Sequence, residues 1–174
     1  VNKQFRLDAF INYDEFDYSF DAGAFNDSDI NQGNQEQIRI GIRPQLKYKK
    51  GELFLNASIN SLDRSFDSFN SFSGGINTFI YKGSSVNLDL ANKYEFTKYF
   101  QLITGLNYQK HENETISDFG NIDPDLANFN VLDPYVSAVY ITDFGLSLNA
   151  GGRLNMHSNY GNNFVYDTNL AFGI

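Results

Sequence analysis

Apolar and polar residues alternate along most of the chain, and the period is two. In 4–13, Phe5, Leu7, Ala9, Ile11 and Tyr13 alternate with Gln4, Arg6, Asp8 and Asn12, Phe10 alone intruding. Ile38, Ile40, Ile42, Leu46 and Tyr48 oppose Gln37, Arg39, Arg43, Gln45 and Lys47; Val86, Leu88, Leu90, Tyr94 and Phe96 oppose Asn87, Asp89, Lys93 and Glu95. Phe144, Leu146, Leu148, Ala150 and Leu154 oppose Ser147, Asn149, Arg153 and Asn155, and a last run carries Phe164, Tyr166, Leu170, Phe172 and Ile174. Successive side chains of a strand point to opposite faces, so each run is an amphipathic strand. No stretch has a helical period. The pattern predicts an all-β antiparallel up-and-down meander of nine strands, over 4–13, 16–25, 37–48, 52–61, 86–96, 100–110, 132–141, 144–155 and 163–174. Pro44 falls inside one of them, where it cannot donate to a ladder.

The connections alternate in length. Short turns are expected at Asp14-Glu15, Lys49-Lys50-Gly51, Thr97-Lys98-Tyr99 and Thr142-Asp143, and long polar loops over 26–36, 62–85, 111–131 and 156–162. Unlike rims, and strands of roughly 10–12 residues that cross about 25 Å of apolar core when tilted about 45°, are the signature of an outer-membrane β-barrel. Aromatics gather near strand ends, as in Tyr94, Phe96, Tyr99 and Phe100. A soluble or surface β-barrel or sandwich, binding a glycan or protein through 62–85 and 111–131, is the alternative, because its strands alternate for the same reason.

Composition narrows the classes. The 174 residues suit one domain in length, and the absence of Cys excludes disulfide scaffolds, thiol catalysis and Cys-ligated metals. Thirteen Lys and Arg against 21 Asp and Glu, a net charge of -8, argue against nucleic-acid binding. Aromatics make up 16% of the chain, yet its mean hydropathy is -0.40. Strands with one greasy and one wet face reconcile the two figures. Val1 starts directly in a strand-like pattern without the regions of a secretory signal, and Ile174 closes another such run. The expectation is a mature or trimmed chain, or a piece of something longer.

The C-terminal third carries a resemblance. Asp133-Pro134-Tyr135-Val136-Ser137-Ala138-Val139-Tyr140 precedes Phe144-Gly145-Leu146-Ser147-Leu148-Asn149-Ala150-Gly151-Gly152-Arg153, which leads into Asn155-Met156-His157-Ser158-Asn159-Tyr160-Gly161-Asn162-Asn163-Phe164. This resembles the barrel strands of TonB-dependent outer-membrane receptors of Bacteroidetes-type bacteria, including cobalamin-receptor-like members. Tyr94-Glu95-Phe96 and Leu102-Ile103-Thr104-Gly105-Leu106-Asn107-Tyr108 are similar to a preceding hairpin of that family. The resemblance covers about half the chain. It implies a bacterial outer-membrane location, lipid around the barrel, and uptake of a nutrient such as cobalamin, a siderophore or a glycan. It also implies a plug, through which an inner-membrane energy-coupling protein is engaged. The sequence departs from the family in having no plug pattern, no terminal aromatic and an odd strand count, so a barrel segment is expected, with edge strands open to self-association.

No enzyme is expected. Ser158 adjoins His157, but neighbours on an extended chain point apart, and no oxyanion-forming turn accompanies them. Ser73-Gly74-Gly75 lacks the lysine of a phosphate loop. Asp27, Asp29 and Asn31 place oxygens at alternate positions of a loop, a calcium candidate that departs from an EF-hand because its glycine, Gly33, comes one place late and Ile38 replaces the closing acid. A solvated turn has the same composition. Glu112, Glu114, Asp118, Asp123 and Asp125 form a second acidic stretch, which suits a cation or simply a hydrated rim. No other cofactor is expected.

Overall fold

The computed structural model describes residues 4–21 and 29–173. These form β1 (Phe5–Ser19), β2 (Gln32–Tyr48), β3 (Gly51–Asn70), β4 (Gly75–Glu95), β5 (Phe100–Ser117), a one-turn helix α1 (Pro124–Ala127), β6 (Phe129–Ile141), β7 (Leu146–His157) and β8 (Gly161–Phe172). The strands make a single antiparallel sheet in sequence order, and the sheet is not closed: β1 and β8 are its edges. The all-β meander expected from the alternation is present, with eight strands in place of nine.

Several expectations are corrected: the long loop expected over 156–162 is a tight turn between the paired His157 and Gly161, and β2 already begins at Gln32 inside the loop expected over 26–36. No turn exists at Asp14-Glu15, where both residues stay in register with Gln37 and Glu36, so the two expected N-terminal strands are one. Part of the expected run 16–25 lies outside the described residues. The expected loop 62–85 is a hairpin: β3 and β4 stay paired from Gly51↔Tyr94 to Asn70↔Gly75. The expected loop 111–131 is shorter, since β5 runs to Ser117 and α1 occupies part of the remainder. The tight turns at 49–50, 96–99 and 142–145 fall where the sequence places them.

Register aligns the greasy positions into one belt. Leu7, Ala9, Ile11 and Tyr13 face Pro44, Ile42, Ile40 and Ile38 of β2. Ile42 and Ile40 then meet Ala57 and Ile59 of β3, which meet Leu88 and Val86 of β4. Leu90 and Leu88 meet Leu106 and Tyr108, and the line continues through Pro134 and Leu132 into Leu154, Phe164, Leu148 and Leu170. The belt is uncovered: Ile11, Ile59 and Leu170 are 68%, 52% and 70% exposed. Its height is that of a bilayer core. From Ile38 to Tyr48 the chain rises about 33 Å, which a tilt of about 45° projects to roughly 23 Å. Tyr48, Tyr94, Phe96, Phe100, Tyr140 and Phe172 line its lower edge near the short turns; Tyr94 and Phe96 pack edge-on at 4.7 Å.

The opposite face is polar and more enclosed. The buried strand residues Ala91, Val131 and Asp133 all lie on it, as expected of a sheet that curls toward that side. Proline explains two breaks in the ladders. Pairing of β2 with β3 lapses at Arg43 and Pro44, and pairing of β6 with β7 lapses at Asp133 and Pro134. Side chains of the polar face close both gaps. Arg43 Nε donates to Asn56 Oδ1 at 2.6 Å, and Asp133 accepts from Asn155 Nδ2 at 2.9 Å with Arg153 Nη1 at 3.6 Å.

Candidate functional site

The two faces exchange character above the belt. On β1 the apolar residues other than Phe10 are odd-numbered through Tyr13, after which Phe16 and Tyr18, and Phe20 just past the strand, are even-numbered. On β3 the rings and leucines change from Leu53, Leu55 and Ile59 to Leu62 and Phe66, and on β4 from Val86, Leu88 and Leu90 to Phe79 and Tyr81, while Phe69, Ile76 and Ile80 keep the belt parity. Because a strand presents alternate residues to one face, this parity change moves the rings to the polar side of the sheet.

There they assemble. Phe66 stacks on its cross-strand partner Phe79 at 4.7 Å and 18°, Tyr81 lies parallel to it at 5.9 Å, and Phe20 meets it edge-on at 6.0 Å. The Arg64 guanidinium sits 5.5 Å from the Tyr18 ring centre and 5.6 Å from that of Phe66, and its Nε donates to the Tyr18 hydroxyl at 2.9 Å. Gly33 makes room for this arrangement, since a Cβ there would stand 2.5 Å from the Tyr18 ring. The carboxylates of this level face the other way. Glu15, Asp17, Glu36, Asp63, Asp67, Glu112 and Glu114 all continue the belt face upward, alternating with the ring-bearing positions. Above Asp14, then, the polar face bears rings and Arg64, while the acids lie on its back with Lys82 and Lys110.

A second ring ladder crosses β5, β6 and β7 on the same face. Phe129 is stacked between His111 at 4.6 Å and His157 at 4.9 Å, and Tyr160 packs on His157 at 4.6 Å. His157 Nδ1 accepts the backbone N–H of Asn159 at 3.1 Å, so that nitrogen carries the lone pair. Ser158 Oγ accepts the Asn130 N–H at 3.1 Å and makes no contact with the imidazole of its neighbour. The two histidines, with a ring between them, do not converge on a common point. At belt level Tyr135 donates to Asp89 Oδ1 at 3.0 Å and lies 5.6 Å from the Arg153 guanidinium carbon, extending the hydrogen-bonded wall around Asp133.

The acidic candidates are dispersed. Asp27 lies outside the described residues. Asp29 is exposed, while Asn31 is buried, its Oδ1 accepting the Phe69 N–H at 2.8 Å and its carbonyl the Phe20 N–H at 3.0 Å. That side chain fastens the β1–β2 connection to the end of β3. Asp118 accepts the Thr78 N–H at 3.0 Å, Asp123 caps α1 through Asp125 N at 3.0 Å, and Glu112 pairs with Lys110 at 2.7 Å. Among the described residues no three acidic or imidazole groups gather as a metal would require.

Sequence reasoning missed the Arg64 cluster, having placed 62–85 in a loop. The signal was present as Leu62-x-Arg64-x-Phe66 and Phe79-x-Tyr81, two alternating runs whose parity is opposite to the belt below them. Comparison with known proteins returns nothing to set beside this geometry: no family model, no curated protein and no solved structure matches the chain.

Proposed function

We propose that the chain is part of the wall of a transmembrane β-barrel in a bacterial outer membrane. One observation carries the reading: an exposed apolar belt of bilayer height runs unbroken across all eight strands, and the reverse face is charged and hydrogen-bonded. An exposed apolar patch this large lies far beyond what soluble monomers present to water. In lipid it needs no cover, whereas a spanning sheet must have both edges paired because hydrocarbon offers no hydrogen bonds. Eight strands with free edges at β1 and β8 therefore call for further strands beside them. Arg6, Arg39, Arg43, Lys93 and Arg153 on the reverse face suit a water-filled interior.

The resemblance of 94–108 and 133–164 to TonB-dependent receptors supports the finer reading, a nutrient receptor whose barrel this segment helps to build. Its transported compound would be a cobalamin, a siderophore or a glycan, with energy delivered through a plug.

The test exploits the absence of Cys. Single cysteines at Ile40, Ile59 and Leu106, and at Arg39, Asn60 and Asn107, are labelled with a fluorophore after reconstitution of the full chain. Brominated acyl chains are expected to quench the first set and aqueous iodide the second. Equal quenching of neighbours in both series would exclude the barrel.

A further inference from the structure

We propose that Arg64, Tyr18, Phe66, Phe79 and Tyr81 form a binding site for a small anionic solute that carries an aromatic ring. The guanidinium is held but not neutralised. Its Nε is committed to the Tyr18 hydroxyl, the Tyr18 and Phe66 rings flank it, and among the described residues no carboxylate lies within ion-pair distance of it. This contrasts with Arg6, paired with Asp8 at 2.9 Å, Arg39, paired with Asp14 at 3.3 Å, and Arg153, beside Asp133; Arg43 also lacks an acid partner, its Nε held by Asn56, but no ring flanks it among the described residues. In a chain of net charge -8, Arg64 is the arginine that combines the lack of an acid partner with rings on two sides. The seven carboxylates at its level face away from it, so the wall would repel an anion little and attract it through Arg64 alone.

The chemistry follows from these groups. A guanidinium with its terminal nitrogens free presents a planar fork that takes two oxygens of a carboxylate or phosphate together. Phe66 stacks on Phe79, which Phe119 also touches at 5.9 Å, and the exposed Tyr81 ring alongside is the one placed to receive an aromatic body of the solute. Holding Nε on Tyr18 orients the fork before the ligand arrives, which reduces the ordering cost of binding. The proposal leans on the barrel reading only for the direction from which a solute comes, because the cluster lies above the belt on the face turned from lipid.

The experiment titrates the full chain in detergent micelles with 1-naphthoate, with the uncharged 1-naphthamide and with cyclohexanecarboxylate. Heat and the Arg64 Nε–Hε resonance are followed. Naphthoate should bind and move that resonance; naphthamide should bind at least about tenfold more weakly, the scale of one charge-assisted hydrogen bond, and cyclohexanecarboxylate at least about threefold more weakly, the scale of one aromatic contact. Arg64→Gln should weaken naphthoate by about tenfold or more, while Arg43→Gln on the same face should not. The site is refuted if naphthoate does not bind, if naphthamide or cyclohexanecarboxylate binds as tightly, or if both arginine variants behave alike. Should Arg64→Gln lose its strand circular dichroism, the wild-type resonance decides: an unmoved Nε–Hε at saturation refutes the site. A chain whose belt cysteines are lipid-quenched but which ignores naphthoate loses this site and keeps the barrel; the reverse result does the opposite.

Discussion

At Gly41 the ring of Phe10, its partner on β1, lies where a side chain would stand, and the carbonyl oxygen of Ala57 is 3.1 Å from the site of a Cβ. Gly105 is covered in the same way by Tyr135 and Gly33 by Tyr18. These glycines are seats for aromatic rings of the neighbouring strand, a device that pins register by filling the space the missing side chain leaves. It also accounts for Phe10, which breaks the alternation of its run yet belongs on the polar face. Gly41→Ala should displace the ring and cost about 1–3 kcal/mol, the usual penalty of overpacking. Gly83→Ala meets only Asn113 Oδ1 at an ordinary 3.6 Å, and should be neutral or stabilising by about 0.5 kcal/mol, since glycine weakens a strand. Urea unfolding of both variants in the same detergent measures the contrast.

At the scale of elements, β3, β4 and β5 continue well past the belt, and their outward positions there include Asp63, Asp67, Lys82, Lys110, Glu112 and Glu114, with the apolar pairs Ile80–Ile116 and Phe69–Ile76 among them. Lys82 faces Asp63 on one side and Glu114 on the other, and Lys110 grips Glu112 along β5. The hydrogen bond from Lys110, and then its charge, hold the Glu112 carboxyl below the ordinary glutamate value. A carboxyl lowered by folding contributes stability that is present above its unfolded pKa and fades as pH falls through the folded one. Lys110→Met should therefore raise the Glu112 midpoint toward that of an ordinary glutamate in a carboxyl-carbon NMR titration. It should also flatten the dependence of stability on acid over that window. Both side chains are exposed, so an unchanged midpoint would mean that the pair is not held in solution.

For the whole molecule, the proposed membrane barrel predicts where charge is tolerated. Ile40 stands in the middle of it and Ser61 just above it on the same face. Ile40→Arg should cost about 2–4 kcal/mol of folding free energy in a bilayer and Ser61→Arg about 0–1, following the depth dependence of lipid-facing arginine. Denaturant titrations from liposomes check this, and equal costs would remove the bilayer from the explanation. The same tally explains the composition. A chain that is aromatic yet polar on average has its rings divided between the edge of a belt and a wall above it, with carboxylates on the back of that wall.

The sequence by itself determined the fold class, the lower tight turns and the membership of the belt. These depend on alternation within one strand and on turn residues a few positions apart, both of which are local. Only the tertiary structure decided how long the strands are and what lies above the belt. Phe16, Tyr18, Leu62, Phe66, Phe79 and Tyr81 alternate as regularly as the residues below them, but with the parity reversed. Along a single chain a parity change looks the same as a strand end followed by a loop. The pairing of Asp14 with Gln37, Leu62 with Gly83 and Phe66 with Phe79 shows that the backbone runs straight through. What changes at that level is which face is greasy, and this follows from what each face meets, a relation between strands that no single strand records.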